Sequence, residues 1–69
     1  MTYAVLIERG PTSFGATVPD LPGCVAVADT REEVERLIQQ AIVMHLKGLR
    51  EDGLIVPPPV TQVASVDVA

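Results

Sequence analysis

Few side chains in this 69-residue chain could do chemistry, and their spacing is unpromising. His45 is the only imidazole and the natural general base, yet no Ser, Cys or carboxylate is spaced to make a triad with it. It falls within an apolar stripe at helical spacing, which gives it a packing role. Cys24 opens a short apolar run with no cation within several residues to lower its pKa, so it reads as a buried, inert thiol. One His and one Cys cannot furnish the four ligands of a structural zinc site. Glu8, Asp20 and Asp29 fall at the ends of expected strands and could gather around Mg²⁺ as in nucleases, although strand-end acids are more often solvated. The sequence has no Walker-type loop, dinucleotide fingerprint or aromatic stacking platform. The expectation is a protein that is not an enzyme and needs no cofactor or metal.

The most specific local feature is Val18-Pro19-Asp20-Leu21-Pro22-Gly23-Cys24. Pro22 and Gly23 suit the two central positions of a type II turn, and the proline after Leu21 holds that residue extended. A corner stiffened by two prolines can join two strands and also offer side chains to a partner at little entropic cost. Asp20, Leu21, Pro22 and Gly23 are therefore the expected partner-binding residues.

The elements that must position this corner are legible from periodicity. Tyr3, Val5 and Ile7 alternate with Ala4 and Leu6, and Arg9-Gly10-Pro11 ends that strand. Phe14, Ala16 and Val18 alternate with Gly15 and Thr17 up to Pro19, forming the second arm of a hairpin. Cys24 through Asp29 make a third short strand, and the three form an antiparallel meander. Thr30-Arg31-Glu32-Glu33 has capping-box spacing and starts a helix. Glu32, Glu33 and Glu35 lie where the helix dipole favours anions, with Lys47 and Arg50 towards the other end.

Val34, Leu37, Ile38, Ala41, Ile42, His45, Leu46 and Leu49 define one apolar stripe on that helix, and Gly53 stops it in the left-handed C′ position. Gly48, inside the helix, marks either a close approach to another helix or a tolerated weakness. Val43 and Met44 lie off the stripe, so a second contact surface is implied. Pro57-Pro58-Pro59 is a stiff connector. From Val60 to Val68 a period of two marks a last strand, suited to a sheet edge or to a swapped arm on another chain. Val43, Met44 and Val63 are the expected oligomer contacts.

Composition bounds what such a domain can do. The chain is 48% hydrophobic with a net charge of -4, and its size admits a single core over residues 1–69. A domain this small buries only about 60% of its unfolded surface, and one cysteine cannot staple it, so self-association into a dimer or tetramer is expected. A mean hydropathy of +0.34 points the same way, since some apolar surface must be hidden. Nine acidic against five basic residues argue against direct nucleic-acid binding and favour a basic partner. No run is long enough to span a membrane and no signal sequence opens the chain, so a cytoplasmic location is expected.

The order of these elements and the words within them resemble the HicB-like antitoxin family, over most of the chain. The resemblance rests on Tyr3 to Glu8, Phe14 to Val18, the Pro19-Asp20-Leu21-Pro22-Gly23-Cys24 word, Asp29-Thr30-Arg31-Glu32-Glu33, and Ile55-Val56-Pro57. The corner word joined to a capping box is more specific than either alone. Ala28 stands where the family usually has Gly, and Glu33-Val34 where it often has Glu-Ala, changes that touch packing.

The resemblance implies an α+β fold of β-β-β-α-β order, a small antiparallel sheet with one helix on one face, partial RNase H-like. It also implies the antitoxin of a type II toxin–antitoxin pair, neutralising a HicA-like mRNA-cleaving toxin by protein contact. Many members carry a C-terminal DNA-binding domain, and none is expected within this sequence. Two other readings stand beside it. One is a stand-alone homo-oligomeric structural or regulatory domain without a toxin. The other is a metal-dependent nuclease using Glu8, Asp20 and Asp29.

Overall fold

The computed structural model describes residues 1–69. Strands β1 (Leu6–Arg9), β2 (Phe14–Thr17) and β3 (Val25–Ala28) precede one helix, α1 (Arg31–Glu51). The sheet is an antiparallel meander in the order β1-β2-β3, with Ile7 opposite Ala16 and Ala16 opposite Ala26. This is the expected α+β class, with the helix packed on one sheet face.

β1 begins later than the alternation suggests, and the corner explains why. Leu6 pairs with Thr17, so an earlier residue would need Val18 as its partner. Val18 faces the other neighbour, its N–H donating to the Cys24 carbonyl, so the next position of this strand turned towards β1 is Pro19. Pro19 has no N–H to offer. Tyr3 and Val5 therefore lie half-buried against the core without a ladder.

The inner sheet face is floored by small residues, Ala16, Ala26 and Ala28, which let α1 approach closely. The core joins Ala16, Val18, Leu21, Cys24 and Ala28 to Val34 and Ile38 of the helix. Only 7 of the 69 residues are buried, and geometry accounts for it. A helix of 21 residues is about 31 Å long, whereas a four-residue strand reaches only about 13 Å. The C-terminal half of α1 overhangs the sheet, so His45, Leu46 and Leu49 of the predicted stripe are half-buried rather than enclosed. Leu37 lies at the solvent margin.

Both helix ends follow their signals. Thr30 Oγ1 accepts from the Glu33 N–H at 3.2 Å, while the reciprocal bond from the Glu33 carboxylate is not made. At the other end Leu54 N–H donates to Leu49 and Gly53 N–H to Arg50, with Gly53 at φ 70°. That is the paired bonding of a Schellman cap, in which glycine takes the left-handed conformation without strain.

The final strand is the one expected element that does not form. Residues 54–69 form no helix or strand, and every residue from Val60 on is exposed. The alternation at Val60–Val68 has no ladder within the chain, because a strand pattern forms a strand only where an unpaired edge lies beside it. The tail is carried elsewhere by the contacts described below. The radius of gyration, 13.5 Å, accordingly exceeds the roughly 11 Å of a compact domain of this length. No helix is long and apolar enough to cross a membrane.

Candidate functional site

The corner between β2 and β3 is two consecutive tight turns. Leu21 N–H donates to Val18 at 3.0 Å, then Cys24 N–H donates to Leu21 at 3.0 Å, and Val18 N–H closes the loop on Cys24 at 3.2 Å. The second turn has Pro22 and Gly23 at its centre with Gly23 at φ 84°, the type II geometry expected from this pair.

The structure separates the four residues expected to bind a partner. Leu21 is 0% exposed and is the plug of the core rather than a contact. Its turn position aims the side chain inward between Val18 and Cys24, so the binding role expected for it is corrected to a packing one. Pro22 and Gly23 are exposed on the crest of the turn.

Asp20 is half-buried and engaged with the tail. Its Oδ2 accepts from the N–H groups of Val60 at 3.1 Å and Thr61 at 3.0 Å, and its Oδ1 accepts from Thr61 Oγ1 at 2.8 Å. The Thr61 N–H, then the Thr61 hydroxyl, hold the carboxyl below its ordinary value; partial desolvation opposes them, and the Val60 N–H adds to the lowering. A second tie precedes it, where the Tyr3 hydroxyl donates to the Pro57 carbonyl. Pro57-Pro58-Pro59 thus spans two anchored points across one end of the sheet.

The other candidates do not converge. Asp20 lies beyond Thr17 at one end of β2, and Asp29 follows Ala28, which pairs with Phe14 at the other end. Glu8 faces Gly15 between them, and no three His, Cys, Asp or Glu side chains gather where a cation could be held. The nuclease reading loses its geometry. Cys24 is buried, and burial pushes its thiol up, away from the reactive thiolate. His45 is half-buried on α1, with no hydrogen bond to a nucleophile or carboxylate.

Residues 3–68 match the family model described as the HicB_like antitoxin of bacterial toxin-antitoxin systems. The chain belongs to the HicB-like antitoxin family. It is 34% identical over 62 residues to Antitoxin HicB 2 of Photorhabdus laumondii, covering 90% of this chain and 45% of that protein. It is 37% identical over 54 residues to a UPF0150 protein of Helicobacter pylori, covering 78% of this chain and 75% of the relative. A 14.9 kDa protein from the rep-hol intergenic region of Haemophilus phage HP1 is 35% identical over 57 residues, covering 83% of this chain and 43% of the phage protein. The chain spans less than half the length of the phage and Photorhabdus relatives.

Within this HicB-like fold, one open surface carries no sequence motif. The outer sheet face is apolar and open: Leu6, Thr17 and Val25 form one row and Glu8, Gly15 and Val27 the next, around a shallow depression of about 340 Å³. Leu6, Val25 and Val27 are all exposed. The signal was the Cys24–Asp29 run, apolar at successive positions, since a strand with one solvated face should alternate with polar residues. Of the residues expected at an oligomer contact, Val43, Met44 and Val63 are 62%, 73% and 76% exposed, open for contact with another chain.

Proposed function

We propose that this domain is the antitoxin of a type II pair and neutralises a HicA-like mRNA-cleaving toxin in the cytoplasm by covering its active face. The observation that carries the reading is the family match over residues 3–68. Two features support it. The net charge of -4 suits a small basic partner, with long-range attraction raising the rate of encounter. The outer sheet face offers desolvatable apolar area at Leu6, Val25 and Val27, with one charge of each sign, Glu8 and Arg9, bordering it to pair with a partner. Inhibition by masking needs no chemistry from the antitoxin itself.

The test is capture of the tagged domain from its own host with nuclease present, followed by growth assays on the protein recovered. A small basic partner that arrests growth when expressed alone, and ceases to do so when this chain is co-expressed, is the expected result. Recovery of the chain only with copies of itself, from cells shown to express the candidate toxin, would instead favour the stand-alone oligomer.

A further inference from the structure

The tail leaves its own domain with an unfilled strand pattern, and the domain has an unfilled strand position. β1 and β3 each pair only with β2 in the sheet, so the outer edge of each is free, and it is the β1 edge that the helix leaves open. Helix α1 lies over β3 and β2 and only grazes β1. A groove of about 570 Å³ therefore opens between Ile7 of β1 with the residues before it and the flank of the helix, lined mainly by Tyr3, Val5, Ile7, Ile38 and Ile42, with Glu35 and Gln39 of α1 also in its wall. Edge strands are usually guarded by charge, proline or cover, because an open ladder recruits another strand.

The occupant is argued from the chain itself. Val60 to Val66 carries no charge, and at a period of two Val60, Gln62, Ala64 and Val66 share one side while Thr61, Val63 and Ser65 share the other, a β-forming segment with one mostly apolar side. Its own domain does not receive it: the Tyr3 tie, three prolines and the Asp20 clamp carry the chain across the sheet end to the β2–β3 corner, past which residues 61–69 are exposed. A short stiff hinge that denies a segment its own domain favours exchange with a second copy. The area agrees. The accessible surface is 5363 Å², against about 4,200 Å² for a compact monomer of 7.3 kDa. The excess, roughly 1,200 Å², is surface that the extended tail leaves uncovered, apolar at Val60, Val63, Val66 and Val68.

We propose that residues 62–68 of a second copy add to the free edge of β1 as a fourth strand, close the open side of this groove, and receive the same in return. The partner's Ala64, Val66 and Val68 then face the groove, and its Val63 and Ser65 face outward beside Leu6. The exchange supplies the strand that the single chain does not form.

The experiment joins mass with cross-linking. In sedimentation at micromolar concentration the full chain runs at twice 7.3 kDa, and Val66→Asp halves that mass while the helical circular dichroism is retained. Mass-tagged Leu6→Cys and untagged Ser65→Cys chains, mixed and treated with a short bismaleimide, give the mixed covalent dimer, and Val27→Cys with Ser65→Cys does not. Cys24 is buried and stays out of the reaction. A monomeric wild type, a dimer that joins only Val27→Cys to Ser65→Cys, or a dimer with neither product each overturns the proposal.

Discussion

Asp20 and Thr61, forty-one positions apart in the chain, are joined by two hydrogen bonds, from the Thr61 amide at 3.0 Å and its hydroxyl at 2.8 Å. The pair turns a loop carboxylate into an anchor for the segment that follows the three prolines. Charge-assisted bonds of this kind are shorter and stronger than neutral ones, and here they fix the direction in which the tail departs.

Replacing Asp20 with Asn weakens that anchor without disturbing the core, which Asp20 does not enter. The expected outcome is faster amide exchange at Val60 and Thr61, with protection at Val34 and Ile38 unchanged. Equal loss at all four amides would show that the carboxylate supports the whole fold.

Acid acts through the same bonds. The folded pKa of Asp20 is lowered from 3.8, so the anchor is fully present above that value and is lost as pH falls through the lower folded one. The Thr61 amide chemical shift, followed by NMR, should titrate with a midpoint below 3.8 and stay flat from pH 5 to 8. A midpoint above 3.8 would contradict the clamp.

Leu21 plugs the core, so Leu21→Ala should cost about 2–5 kcal/mol in urea unfolding, much of the stability of a small domain. Pro22→Ala, on the exposed crest, should cost about 1 kcal/mol or less. Comparable losses would mean that the corner is held by its turns rather than by its plug.

Two glycines should respond with opposite signs. Neither Gly23 nor Gly48 has an atom within 4 Å of an added Cβ, so backbone conformation alone decides. Gly23→Ala forces a left-handed residue and should cost about 1–2 kcal/mol. Gly48→Ala, inside α1, should gain about 1 kcal/mol, raising Tm by roughly 4–8 °C. A loss at Gly48 would mark it as a close approach between chains.

What could be read from the sequence was local. Thr30, Gly53 and the Pro22-Gly23 turn act within a few residues, and each lies where its spacing places it. The three strands follow their alternation, apart from the start of β1, whose ladder stops where the chain opposite it reaches Pro19 and offers no N–H. The site was less legible because its contacts are distant in sequence. Nothing near Asp20 announces that its acceptors will be filled by Val60 and Thr61, and Leu21 in an exposed-looking turn gives no local sign of burial. The alternation at Val60–Val68 predicts a last strand that does not form in the single chain, because pairing needs an edge beside the segment and the Asp20 anchor holds it away from one.

The most direct test of the antitoxin account is a titration in vitro. The small basic protein captured with this domain is incubated with labelled mRNA while the domain is added in increasing ratio. The account predicts that cleavage falls to background as the two proteins reach equal amounts, and returns when Val25→Lys and Val27→Lys are introduced together on the outer sheet face. Cleavage undiminished by excess wild-type domain would contradict it.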